Sequence, residues 1–241
     1  VINLARQIGV TSELATGLSL PLGSSEITLL ELALLYQSMR DGQAITFGDE
    51  ARPTAIIREI RLRDGTVVYR AEGERHTLTE GATADAVGQV LRNVVLRGTG
   101  RQAAQAQPEV PLAGKTGTTN SYRNAAFAGV VPRPVEGGWS LREGVVVASY
   151  VGYDDNRKMA RGSIRLAGAT GSLPAWLGAA SGVIDQFEAP ADGPHDLVLG
   201  GGLEPVVVDP TTGLPTGPGG DGVTLYRVAG GGGQYGPFEP R

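Results

Sequence analysis

The stretch from Ala113 to Tyr153 sets the strongest limit on how this chain folds. Three segments there carry strand patterns, one around Lys115 within Ala113 to Asn120, then Ala125 to Val131 and Gly144 to Tyr153, and short connections join them. Nearly every position from Val145 to Val151 is apolar, the pattern of a strand buried on both faces and therefore expected at the centre of a sheet. The connections favour antiparallel neighbours, most clearly the few residues between the first two strands, because a parallel crossover needs a dozen or more residues. Helical periods lie on both sides in sequence. Leu29, Leu32, Ala33, Tyr36 and Met39 form one stripe, Ala86, Val87, Val90, Leu91 and Val94 a second, and Leu173 to Phe187 a third with Pro174 in its first turn. The fold class that follows is α+β, an antiparallel sheet flanked by helices.

The first strand of the three carries the chemistry. Ala113-Gly114-Lys115-Thr116-Gly117-Thr118-Thr119-Asn120 places a lysine among small and hydroxyl residues. Of 21 Lys plus Arg, lysine occurs only at Lys115 and Lys158, so Lys115 stands where a compact ammonium suits a tight site better than a guanidinium fork. Thr116 and Thr118 sit two apart and share a strand face, while Gly114 and Gly117 permit close approach of a backbone or ligand. A row of donors around one cation suits an anionic group such as a substrate carboxylate. A phosphate loop is the rival reading of Gly114-Lys115-Thr116, but its first glycine would fall on Glu109, and no helical pattern follows Thr116.

Along the rest of the chain, Val1 to Gly9 reads as the tail of a helix without its start, which leads us to expect a longer parent polypeptide. Thr28 and Glu31 spell a capping box, and Asp41-Gly42 ends the helix it opens. Ile60 and Leu62 alternate with charged residues up to Asp64-Gly65 and a β-branched run follows, so a solvated hairpin is expected there. Gly98-Thr99-Gly100-Arg101-Gln102-Ala103 fits a dinucleotide fingerprint in letters only, since it follows a helix. Asp154-Asp155-Asn156 reads as a polar turn, with too few ligands at fixed spacing for Ca²⁺. The last 52 residues hold 14 glycines and 8 prolines, so 190–241 is set apart from 1–189 as a partly irregular extension. Within it Val206 to Asp209 and Thr224 to Val228 are expected to pair, and Gly230 to Gly233 reads as a linker or tail.

Several function classes fall away. A net charge of −4 without a Lys/Arg run gives no electrostatic case for nucleic acid. No apolar run reaches the ~18 residues that span a bilayer, so no membrane segment is expected in this chain. With no cysteine and two separated histidines, His76 and His195 in surroundings typical of surface loops, neither a metal nor another cofactor is expected.

Taken together, these residues resemble the transpeptidase domain of the class A, bifunctional penicillin-binding proteins. Leu18 to Tyr36 is similar to that family's proline–leucine–glycine loop and following helix. Asn93 to Gly100 resembles its segment ending Gly-Thr-Gly, Ala113 to Asn120 its Lys-Thr-Gly motif with a Thr-Thr-Asn extension, and Tyr150 to Asn156 its closing strand and Asp-Asp turn. The resemblance covers Val1 to about Phe187 and implies the fold shared with serine β-lactamases, of which this chain would be the C-terminal part. It implies a serine acyl transfer on D-Ala-D-Ala stem peptides of peptidoglycan, inhibited by β-lactams, at the extracytoplasmic or periplasmic face of a membrane. Lys115 and the Thr116 and Thr118 hydroxyls would bind the terminal carboxylate, with Gly117 and Thr119 completing the site. The Thr118 N–H would donate to the oxyanion.

Two departures accompany it. Where the family usually reads Asp-Ala-Trp-Phe, this chain has Asn124-Ala125-Ala126-Phe127. No serine has a lysine three residues on and no Ser-x-Asn occurs, so the nucleophile, its lysine, the Ser-x-Asn residues and the membrane anchor are expected in a preceding part of the same polypeptide. Two alternatives stay open at this point: a carboxylate-binding module without turnover, and a serine β-lactamase or D,D-carboxypeptidase.

Overall fold

The computed structural model describes residues 1–48, 51–188, 196–216 and 220–230. Helix α1 (Ile2–Ile8) stops at Gly9, whose φ of 107° is a left-handed cap. Helix α2 (Leu29–Asp41) begins with the expected capping box between Thr28 and Glu31 and ends at Gly42. Glu31 does more than cap. Its buried carboxylate accepts from the N–H and hydroxyl of Thr11, at 2.6 and 3.0 Å, and from those of Ser12, at 2.8 and 2.6 Å. It also accepts from the Thr28 N–H at 2.8 Å, so one side chain ties the loop after α1 to the start of α2. Burial by itself would raise the pKa of this group. The Ser12 hydroxyl and the N–H groups of Thr28, Ser12 and Thr11 outweigh burial and hold it far below the ordinary carboxylate range.

After α2 the chain leaves the body as two nested antiparallel pairs. Strands β1 (Gln43–Phe47), β2 (Glu59–Arg61), β3 (Val67–Arg70) and β4 (Gly73–Thr77) pair as β1 with β4 and β2 with β3. The β2–β3 hairpin is the one anticipated from Asp64-Gly65. The β1–β4 pair was not anticipated, because its partners lie about 30 residues apart and neither run is strongly alternating.

Helix α3 (Gly81–Arg97) and helix α4 (Arg101–Ala106) then lead to the sheet of strands β5 (Ala113–Thr118), β6 (Asn124–Val135) and β7 (Gly138–Gly152), antiparallel and in that order. Strands β6 and β7 run past the expected bounds because the two-residue Glu136–Gly137 turn joins them, with a register shift between Val131 and Arg133. One expectation needs correcting: among the described residues β6, not β7, is the middle strand. An apolar run reports covered faces, and β7 is half-covered by α2 on one face and by helix α5 (Leu173–Ile184) on the other, which says nothing about its edge. On the α5 face Phe127 and Trp176 meet with ring centroids 4.8 Å apart, and the Trp176 indole donates to the Val147 carbonyl at 2.9 Å. On the opposite face Ala113, Val130 and Leu141 pack with Leu91 of α3.

Between β7 and α5 lies a short hairpin of β8 (Ala160–Arg161) and β9 (Ile164–Arg165). The expected pairing near the C-terminus is present as β10 (Leu203–Val208) with β11 (Val223–Val228). Residues 196–200 dock on the body. Leu197 bridges Trp139 in parallel, and the Gly200 N–H donates to Asp85 at 2.9 Å while Arg142 binds the same carboxylate with two bonds of 2.8 and 2.7 Å. Most of the Gly230 to Gly233 run lies outside the described residues.

Candidate active-site strand

Strand β5 is an edge strand among the described residues, and its hydrogen-bond alternation decides which groups the edge presents. The Thr119 N–H donates to the Asn124 carbonyl at 3.0 Å, closing the β5–β6 turn as a bonded pair. In an antiparallel ladder bonded and non-bonded pairs alternate, so the next pair, Thr118 with Ala125, turns its backbone groups away from β6. The same holds for Thr116 with Phe127. The N–H and C=O of Thr116 and Thr118 therefore point to the free edge.

The side chains divide as two-residue spacing requires. Thr116 and Thr118 lie opposite Phe127 and Ala125 on the α5 face, and Lys115 lies opposite Ala128 on the other. Lys115 nevertheless returns to the edge. Its Nζ donates to the Thr116 carbonyl at 2.9 Å and stands 3.4 Å from the Thr116 hydroxyl. That hydroxyl is shared 2.8 Å away with the hydroxyl of Thr99. Thr118 accepts from the Gly168 N–H at 2.9 Å, which leaves its own hydroxyl proton free to donate. Thr119 is used differently, since its hydroxyl accepts from the Asn124 N–H at 2.9 Å and donates to the Asn124 carbonyl, holding the hairpin shut.

Thr99 is the site residue that sequence reasoning did not single out. It sits in the Gly98–Gly100 link between α3 and α4, where the N–H groups of Gly98 and Gly100 both donate to the Val94 carbonyl. A Cβ on Gly98 would come within 2.9 Å of that carbonyl, so the tight link requires glycine there. The Gly-Thr-Gly triplet was the available signal, and only the packing of α3 on β5 shows what it delivers.

The substituted stretch after the turn is absorbed locally. Asn124 accepts from the Tyr150 hydroxyl at 2.7 Å, and Ala126 stands opposite Gly117 on β5 and opposite Tyr150 on β7. His76 lies on the exposed β1–β4 pair, where it meets Thr46 at 2.9 Å, and His195 falls outside the described residues. The Asp154–Asn156 stretch is a turn closed by the Asn156 N–H on the Tyr153 carbonyl. Among the described residues no cluster of His, Asp and Glu could hold a metal, and no helix is long and apolar enough to cross a membrane.

The model of the penicillin-binding protein transpeptidase domain matches residues 11–162. The chain belongs to that family. It is 31% identical to penicillin-binding protein 1B of Escherichia coli (strain K12) over 152 residues, covering 63% of this chain and 15% of that protein. It is 30% identical to penicillin-binding protein 1A of Aquifex aeolicus (strain VF5) over 210 residues, covering 83% of this chain and 26% of that one. Among solved structures, penicillin-binding protein 1A from Haemophilus influenzae superposes with a TM-score of 0.67 at 22% identity over 93% of this chain and 35% of its own, which shows a shared fold. This member of the transpeptidase family thus spans roughly a quarter or less of the length of the curated relatives named here. The mixed fold and the class anticipated from the Lys-Thr-Gly strand agree with these relatives.

Proposed function

We propose that this chain is the substrate-carboxylate and oxyanion side of a serine D,D-transpeptidase acting on D-Ala-D-Ala stem peptides, and that β-lactams occupy the same strand. The observation that carries the reading is the free edge of β5, where Lys115, the Thr99–Thr116 hydroxyl pair, the Thr118 hydroxyl and the Thr118 N–H converge. An extended peptide adds to such an edge through backbone bonds, and its terminal carboxylate meets the cation and hydroxyls. The scissile carbonyl then lies at the Thr118 N–H, which donates to the oxygen as charge develops on it. Gly117 keeps that approach open, and Thr119 fixes the turn that aims Thr118.

The nucleophile comes from a preceding part of the same polypeptide. Three features support such a neighbour. The 144–152 edge of β7 is unpaired among the described residues, Leu18 and Ile56 are essentially fully exposed, and an open groove of about 390 Å³ runs between Ile2–Asn3 and Leu18–Pro21. As in the class this chain belongs to, we place the reaction on the extracytoplasmic side of a membrane, with the anchor in that preceding part.

The test is direct. The 241-residue chain incubated with a fluorescent penicillin is expected to give no covalent band on a denaturing gel. A stoichiometric label on it would show that the nucleophile lies within these residues and overturn the division of the site proposed here.

A further inference from the structure

The end of the sheet beyond Thr118 carries an unusual balance of charge for an acidic protein. The turn 119–124 and the segment 152–168 hold Arg123, Arg157, Lys158, Arg161 and Arg165 against Asp154 and Asp155, an excess of three positive charges in a chain of net −4. Both of the chain's lysines, Lys115 and Lys158, belong to β5 or to this rim.

The two segments are knit into one surface. The Met159 N–H donates to the Tyr122 carbonyl at 2.7 Å, Arg123 donates to the Asn156 carbonyl, and the Gly168 N–H reaches Thr118. Two of the guanidinium groups are steadied by rings, Arg157 lying 3.9 Å from the centroid of Tyr153 and Arg165 lying 5.6 Å from that of Tyr122. A stacked guanidinium loses less freedom on meeting a carboxylate than a free one. Local acids do not consume the charge. Arg157 reaches Asp155 only at 3.8 Å, with both side chains more than 60% exposed.

Direction follows from the strand. If the terminal carboxylate sits at Lys115 and Thr116 and the scissile carbonyl at the Thr118 N–H, the bound peptide runs antiparallel to β5. Its preceding residues then continue past Thr118 toward the rim at about 3.3 Å per residue. The 119–124 turn closes within that reach. We infer that the rim formed by Arg123, Arg157, Lys158, Arg161 and Arg165 is a subsite for a free carboxylate on the acyl donor, carried within the two residues that precede its D-Ala-D-Ala end. This inference rests on the reading of β5 given above. The rim selects anionic donors over neutral ones of the same shape.

The experiment compares two probes on the whole chain, acetyl-Glu-Lys(acetyl)-D-Ala-D-Ala and its Gln counterpart, by NMR titration of the Thr116 and Thr118 amide resonances. The Glu probe is expected to bind about three- to tenfold more tightly at low ionic strength, the scale of one or two exposed ion pairs. The preference shrinks with added salt and falls toward one in the Arg157→Gln, Lys158→Gln double variant. An Arg157→Glu, Lys158→Glu variant reverses it. Equal affinities of the two probes for the unmodified chain, with both shifting Thr116 and Thr118, would overturn the rim and leave the reading of β5 standing. A preference that survives the double variant also overturns it. If neither probe moves those resonances, the reading of β5 falls and the rim with it.

Discussion

At Gly117 an added Cβ meets nothing nearer than the Ala126 methyl at 3.6 Å, whereas at Gly114, on the same strand, it comes within 2.7 Å of both the Ala128 carbonyl and the Phe127 ring. The two glycines therefore answer different needs. Gly114 lets β5 lie against the Phe127–Trp176 core, and Gly117 leaves room for whatever approaches the free edge. Gly114→Val is expected to unfold the chain or lower its thermal midpoint by many degrees. Gly117→Val should leave the midpoint within a few degrees, since a β-branched residue suits a strand with space beside it. On the function proposed for β5, Gly117→Val in a polypeptide that joins this chain to a serine-bearing part should cut acylation by at least ~10²-fold, the scale for losing one oxyanion donor. A melting curve beside stopped-flow acylation checks both. A rate loss fully matched by unfolding would assign Gly117 to structure alone.

Helix α2 depends on its first turn. Glu31 is 4% exposed and gathers donors from Thr11, Ser12 and Thr28, so hydrogen bonds compensate its charge. Its folded pKa is depressed below the unfolded value. Its contribution is therefore complete above the ordinary carboxylate range, near 4.5, and is lost as pH falls from there toward the folded pKa. Urea unfolding from pH 7 to pH 3 is expected to show little change until the pH nears the ordinary carboxylate value and a growing loss of stability below it, and Glu31→Gln should flatten that loss. At pH 7 the substitution is expected to cost about 1.5–3 kcal/mol, the range for hydrogen bonds to a charged group. An unchanged slope in Glu31→Gln would assign the acid sensitivity to other carboxylates.

Over the whole molecule, Asp85 is one of the ties that hold residues 196–216 and 220–230 to the body, beside the Trp139–Leu197 pairing and the packing of β10 and β11 on α3. It is 7% exposed, receives both arms of Arg142 and the Gly200 N–H, and lies on α3, the helix that also packs β11. Asp85→Ala leaves a guanidinium and an N–H without their acceptor. Because Arg142 keeps access to water, the cost is expected at about 1–3 kcal/mol, less than for a fully buried pair. Limited proteolysis should then cut after residue 196 much faster than in the unaltered chain while β5 to β7 stay protected. Equal cleavage rates would show that the Trp139–Leu197 bridge and the β11 packing suffice to hold the segment.

The residue order alone determined whatever depends on neighbours in the chain. The Thr28–Glu31 cap, the Gly9 and Gly42 stops, the Asp64-Gly65 hairpin, the antiparallel β5–β7 run and the donor row about Lys115 are set by period, turn chemistry and side-chain type over fewer than about 40 residues. Whatever depends on covering surfaces belonged to the tertiary structure. The apolar run of β7 showed that its faces are covered and was silent on its edges, which is why β6 lies in the middle. Thr99 meets the Thr116 hydroxyl only because α3 packs on β5, and Glu31 meets Thr11 and Ser12 only because the loop after α1 folds back some 20 residues. Hydrogen bonds between distant segments leave no periodicity behind them, so such pairings are chosen when the elements dock and not by the order of residues.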